Sequence, residues 1–320
     1  MLDINSVIYY IDLFNLISGI ILTIVGFFGN GLVVYILSQH KFRRIPMFRY
    51  FIISAIFQMF RIVLFWPYNV QRAYWTILSD FSCKIFQFLT SFLKNYVAWI
   101  EVVVSLDRHL SIMHPHRFHL RTKFKNQSLL LIAIFIISLG AFYPFYLYDG
   151  LYEEVTQNYT LYCNIIDGVA AVWLPFYELG ISTGIPFIII FYTTCRVGLH
   201  LIRNRKNIES KKELSLFKIL LGMNLFFFFF YFQYLVFMLL YQLLPPQPLE
   251  IQLRFAIAYT ICCFLSNLYC SITFIVHFLC NKQFKRSVES MFGIKSDSLK
   301  SESTYKGRTR SSRAFSVDFQ

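Results

Sequence analysis

Residues 16–37 read LISGIILTIVGFFGNGLVVYIL, 22 positions without a charge. As an α-helix this stretch is about 33 Å long at ~1.5 Å per residue, enough to cross the hydrocarbon core of a bilayer. Helix is the form expected there, because a peptide group in lipid must be satisfied within its own segment. Six further apolar runs follow, at Met47–Val70, Lys84–Met113, Gln127–Tyr148, Trp173–Ile202, Leu214–Leu243 and Ile251–Leu279. The 320 residues are 57% apolar and 15% charged, against ~45–50% and ~25% in soluble domains. That balance argues against a water-soluble enzyme, a disordered chain or a disulfide-built miniprotein. The expected fold is all-α, a seven-transmembrane helix bundle over residues 16–279 behind a short N-terminal segment, 1–15. Residues 281–292 follow as a short amphipathic eighth helix lying on lipid, and 293–320 as a disordered tail.

The net charge is +13, and its placement matters more than its size. Lys41, Arg43 and Arg44 lie after the first run, and Arg117, Arg121, Lys123 and Lys125 after the third. Arg203, Arg205, Lys206, Lys211 and Lys212 lie after the fifth. The opposite side carries Asp3, Asp12, Asp80, Asp149, Glu153, Glu154, Asp167 and Glu250 against Arg72. Lysine and arginine mark cytoplasmic loops, so the N-terminus is expected outside and the C-terminus inside, in a multi-pass plasma-membrane protein. The basic excess is an orientation signal and gives no support to nucleic-acid binding. Asn158-Tyr159-Thr160 is a glycosylation sequon on the outer side. The first residues lack the basic start of a cleaved signal peptide.

Five of the seven cysteines, Cys195, Cys262, Cys263, Cys270 and Cys280, read as buried small apolar groups. Cys83 and Cys163 fall on the outer, oxidising side and read as a bridge pinning a loop over the bundle mouth, with two unrelated thiols as the alternative. His114, His116 and His119 cluster in an inner loop, but Arg117 and Arg121 would oppose a metal cation. No metalloprotease motif, phosphate loop or nucleophile–base arrangement is present, so neither a metal, a cofactor nor an enzyme is expected.

Ionisable groups inside spans are costly and are functional candidates by default. They are Arg61 in the second run, Lys94 and Glu101 in the third and Glu178 in the fifth. Lys94, Arg61 and Glu178 could line a ligand pocket, or pair internally and only fix packing; Glu101, deeper, suits packing or switching. Arg49 and Lys218 sit near enough to the inner face to snorkel. Asp107-Arg108-His109 closes the third run. Arginine suits a movable contact there, because its fork can bond the carbonyls of a docking helix. Pro67 and Pro186 lie well inside spans and Pro144 near an end, and each kinks a helix. The run Phe226–Phe230, Tyr231, Phe232 covers every face of the sixth span.

Together these features resemble the rhodopsin-like family of G-protein-coupled receptors. The carriers are Gly29-Asn30, Trp66-Pro67, Cys83 placed 25 residues before Arg108, and the segment Ser105–Ile112 followed by His114-Pro115. Cys163, Pro186 and Asn281–Arg286 complete them. The departures are equally specific. Gln58 stands where the family has a sodium-binding aspartate. Thr273–His277 replaces the seventh-span Asn-Pro-X-X-Tyr. The sixth span lacks Cys-Trp-X-Pro, with Phe232 near the tryptophan position. Thr90 aligns with the aspartate that binds amines. An amine ligand and sodium regulation are therefore not expected, and the chain looks like a divergent, invertebrate-type member.

The resemblance implies a receptor passing an extracellular signal to a heterotrimeric G protein. A peptide (as in a neuropeptide receptor) or a chemosensory compound is the expected ligand, and the acidic exterior suits a basic peptide. Ligand contacts would come from Arg61, Thr90, Lys94, Glu178 and Phe232, and coupling from Asp107, Arg108 and His109. Asn30, Gln58, Pro67, Pro186, Thr273 and His277 would be structural. Ser/Thr residues of the tail would take phosphate from kinases and dock arrestin. The rival reading is a transporter or channel in which Arg61, Lys94, Glu101 and Glu178 line a permeation route. Against it, the chain has no internal repeat and an odd span count.

Overall fold

The computed structural model describes residues 4–43, 45–74, 79–113, 124–154, 160–165, 168–203, 210–244 and 248–293. Asn158, the His114–His119 cluster and the tail beyond Gly293 lie outside them. The elements in chain order are α1 (Ile4–Leu37), α2 (His40–Arg43), α3 (Pro46–Tyr74), α4 (Asp80–Met113) and α5 (Phe124–Tyr148). A β-hairpin follows, β1 (Asp149–Glu154) and β2 (Thr160–Ile165). Then come α6 (Gly168–Glu178), a π-helical turn (Leu179–Gly184), α7 (Ile185–Arg203), α8 (Ser210–Leu243), α9 (Leu249–Cys280) and α10 (Lys282–Met291). Among the described residues seven helical segments are long and apolar enough to cross a membrane, with α6, the π turn and α7 forming the fifth. The fold is thus a seven-span helix bundle, with one two-stranded hairpin in the connection after α5.

Two boundaries differ from the sequence reading. Helix α1 begins at Ile4, inside the segment assigned to a separate N-terminus. The polar residues Asn5, Ser6, Asp12 and Asn15 are interspersed with Ile, Tyr, Leu and Phe, so they fit a helix and do not stop it. The stretch after α5 is a paired hairpin instead of a plain loop, with Leu151 opposite Cys163.

The outside of the bundle is apolar: Phe28, Ile137, Ile188 and Phe229 are each about two-thirds exposed or more. Such a girdle fits acyl chains and would be untenable in water. Between helices the contacts are tight. A Cβ at Gly29 would run into the Phe274 ring on α9, and one at Gly222 on α8 would come within 2.9 Å of Cys280 Sγ. Small residues at these crossings allow the backbones to approach. Helix α10 is amphipathic as expected. Phe284 and Val288, one turn apart, are buried. Asn281 caps it by accepting from the Gln283 and Phe284 N–H groups at 3.1 Å, and Lys41 donates to Ser287 at 2.8 Å.

Gly29→Ala is expected to lower the melting temperature of the detergent-solubilised protein, by the ~1–3 kcal/mol typical of overpacking. Gly31→Ala, whose Cβ would meet nothing within 4 Å, should leave it unchanged.

Candidate functional site

Helix α4 is the axis of the bundle. It touches α3, α5, α7, α8, the π turn and the hairpin, and it is almost wholly buried from Ser91 to Arg108. Polar side chains on it meet polar side chains from every direction, in layers.

At the Cys83 end, Cys83 is buried and disulfide-bonded. Deeper, Lys94 Nζ lies 3.0 Å from Glu178 Oε1 and 3.9 Å above the Tyr234 ring. Both side chains are mostly withdrawn from solvent, so the charges neutralise each other. One residue on, Asn95 donates to Ser138 at 3.0 Å and accepts from Ser182 at 3.3 Å. Trp99 Nε1 donates to the Ile181 carbonyl at 3.2 Å. That carbonyl is available for a definite reason. The Ile185 N–H bonds back to Gly180, a five-residue step. In the same register the next donor would be residue 186, which is proline and has no N–H. Pro186 therefore leaves Ile181 free, and α4 takes it.

The next layer belongs to Arg61, which is 5% exposed. Its guanidinium donates to Tyr231 at 2.6 Å, to Cys270 Sγ at 3.1 Å and to Asn267 at 3.1 Å. All three partners are neutral, and no acid lies within 4 Å among the described residues. Below it a chain of polar groups crosses four spans. Glu101 accepts from Ser54 at 3.3 Å, and Gln58 donates to Ser54 at 3.2 Å. The Thr273 hydroxyl lies 2.8 Å from Gln58 Oε1 and 2.9 Å from Asn30 Oδ1. Asn30 in turn donates to the Cys270 carbonyl at 2.8 Å. A cavity of ≈ 10 Å³ sits against Asn30, Ser54, Gln58, Thr273 and His277, about the room of one water. One hydroxyl proton cannot serve two oxygens at once, so a water there would complete the set. His277 is buried with its ring edge-on to Phe51, at 4.9 Å.

Near the Arg108 end, Asn224 joins Thr194 at 2.6 Å and Ser105 at 3.3 Å, tying α8 to α7 and α4. Asp107 and Arg108 form a buried pair at 3.0 Å. The His109 and Tyr192 rings are 6.2 Å apart. Arg49 is only half-buried but does not reach outward: it donates to Gln127 at 2.9 Å.

The five ligand candidates do not converge. Lys94 and Glu178 meet, whereas Arg61 is held by α8 and α9. Thr90 returns its hydroxyl to the Phe86 and Gln87 carbonyls of its own helix, at 2.8 and 3.0 Å. Phe232 is 50% exposed and stacks on Phe187. The inward face of the aromatic run is Phe227, Phe230 and Tyr231; Phe232 lies ~100° round the helix from Tyr231. Helix α3 runs through Pro67. Sequence reading missed Ser54, Asn95, Asn224, Asn267 and Gln127. Ser54 and Asn224 are lone polar residues in apolar runs, a signal that could have found them; Asn95, Asn267 and Gln127 each adjoin another polar residue.

A bundle of seven membrane-length helices with buried polar layers and a charged pair near the end of its central helix is an integral membrane protein by architecture. Residues 29–272 match the family described as 7 transmembrane receptor (rhodopsin family). The chain belongs to that family. Among curated relatives it is 23% identical over 292 residues to atypical chemokine receptor 2 of Mus musculus, covering 85% of this chain and 72% of that one. It is 26% identical to cysteinyl leukotriene receptor 1 of Sus scrofa, over 60% of this chain and 58% of that one. It is 25% identical to the type-1 angiotensin II receptor of Bos taurus, over 68% and 62%. The chain thus spans about six-tenths of the length of the last two. These relatives are receptors, not enzymes.

Removing one partner of a buried ion pair strands the other. Lys94→Met or Glu178→Gln alone should each destabilise the protein by about 3–5 kcal/mol, with the double variant recovering much of the loss. Thermal melts of the three variants test this.

Proposed function

We propose that this protein is a plasma-membrane receptor, N-terminus outside, that passes an extracellular ligand signal to a heterotrimeric G protein. The observation that carries this reading is the buried Asp107–Arg108 pair closing α4, beside connections rich in Lys and Arg. A ligand acting at the Cys83 end favours an opened bundle, and the opened inner face presents Arg108 to a docking helix. His109 borders that contact. Family membership supports the G-protein reading.

Cys163 is the proposed partner of Cys83. Their bond would pin the hairpin over the mouth, and β2, which carries Cys163, touches α4. Asn158 is the proposed glycosylation site. The tail is the proposed substrate of kinases and docking segment of arrestin. The replaced motifs at Gln58, Thr273 and His277 support a divergent member of the family; the invertebrate-type assignment rests on those departures alone.

For the ligand, a peptide, as in a neuropeptide receptor, or a chemosensory compound is favoured. Acids at Glu153 and Glu154 would steer its basic part. A carboxylate on the same ligand would answer Arg61 better than Lys94, because Lys94 is already neutralised by Glu178. Thr90 and Phe232 hold a weaker place in this reading, given where they point.

Arg108→Ala is expected to abolish G-protein activation in cells while surface expression persists; full signalling would refute the assignment. Glu153→Gln with Glu154→Gln should weaken the potency of a cationic agonist at low salt and change it little at high salt, measured as dose–response curves.

A further inference from the structure

An arginine in a protein keeps its proton, so the charge of Arg61 is permanent. It sits inside a span, where an unpaired charge is costly. The other buried cations on the central helix have acids beside them, Lys94 with Glu178 and Arg108 with Asp107. Among the described residues Arg61 and Glu101 are left over, one of each sign, and they do not pair. Glu101 accepts from Ser54, seven residues before Arg61 on α3, a separation of about 10 Å along the helix axis. Tyr269 and Cys270 stand within electrostatic reach of both charges, and it is the Cys270 sulfur that Arg61 touches.

The guanidinium also has unused donors. It carries five N–H groups. Both at Nη1 are taken, by Tyr231 and Cys270, and one at Nη2, by Asn267. Nε–H and the second Nη2–H meet no acceptor among the described residues. Toward the mouth, Tyr234 lies within electrostatic reach of both Arg61 and Glu178, and Lys94 stands 3.9 Å above its ring. Arg61 therefore lies one layer beneath a cation and an anion that already neutralise each other.

What the site lacks is one negative charge. A water would occupy a free donor and leave the charge uncompensated. A dianion such as sulfate would overcompensate it. Arg61 is only 5% exposed, so whatever reaches it is small. We propose that Arg61 holds a small monovalent anion, chloride in the ligand-free protein, on its free Nε–H and Nη2–H donors. A carboxylate on a ligand has the same chemistry and would bind by displacing the ion. The proposal thus deepens the ligand reading at Arg61, yet the ion needs neither agonist nor G protein. Its test is separate from that of the receptor reading.

The test uses the full chain in phosphatidylcholine nanodiscs at fixed sodium, with gluconate replaced stepwise by chloride. Chloride at about ten times its Kd should raise the melting temperature by roughly 2–5 °C, saturably. The chloride NMR line should broaden in the presence of the protein. Formate, a small monovalent carboxylate, should reverse that broadening and give the same thermal shift. Arg61→Met should lose both effects. Lys94→Met with Glu178→Gln should keep both, because the pair it removes is neutral. Equal melting in chloride and gluconate, an undiminished response in Arg61→Met, or loss of the response in the Lys94/Glu178 double variant would each overturn the proposal. So would a response that appears only in Glu101→Gln, which would make Glu101 the counter-charge. Where Arg61→Met fails to fold, the reversal by formate and the double variant decide it.

Discussion

Inside a lipid-embedded bundle a polar side chain has no water to fall back on, and helix α4 carries one at nearly every turn. Lys94, Asn95, Trp99, Glu101, Ser105 and Asp107 each need a partner. For the first five those partners come from α3, α5, α6, the π turn and α8, and Asp107 pairs with Arg108 on α4 itself. Each such bond is modest in lipid, about 0.6 kcal/mol on average. Their weight lies in direction: an apolar surface could slide along its neighbour, whereas these pairs hold only in one register.

The π turn in the fifth span shows how a backbone irregularity is made tolerable. Proline removes a donor, and the five-residue step leaves one carbonyl over. In lipid that carbonyl would be expensive. Trp99 supplies the missing donor, and Ser182, from the same turn, donates to Asn95. The irregular turn is thereby a docking point for the central helix. The same logic governs Arg61, whose charge is surrounded by a phenol, a thiol and an amide instead of a carboxylate. It is the buried cation best able to accept an anionic group, since Lys94 has already found Glu178.

Two of the replaced family positions acquire a joint explanation. The Thr273 hydroxyl meets both Gln58 and the family-like Asn30, and Ser54 extends the chain from Gln58 to Glu101. Gln58 is neutral, and the nearest acid of this layer sits on α4, one helix away. Read one at a time, Gln58 and Thr273 are only losses from a pattern. Read together, they are a substituted set that meets around the Thr273 hydroxyl.

Hydrophobic run length and the side on which Lys and Arg fall sufficed for the seven spans, the amphipathic α10 and the expected orientation. These are one-dimensional properties, set by bilayer thickness and by the cost of unsatisfied backbone in lipid. The motif around Arg108 and the identity of the buried charges were equally legible. Which charges meet was not. Lys94 and Glu178 are 84 positions apart and Asn30 and Thr273 are 243 apart, and no local pattern encodes such a meeting. Nor could the aromatic run say whether Tyr231 or Phe232 faces inward, because a helix hydrophobic on all sides carries no amphipathic signal. Those decisions belong to helix rotation and register, and only the packed bundle fixes them, as where Asn224 of α8 meets Thr194 of α7.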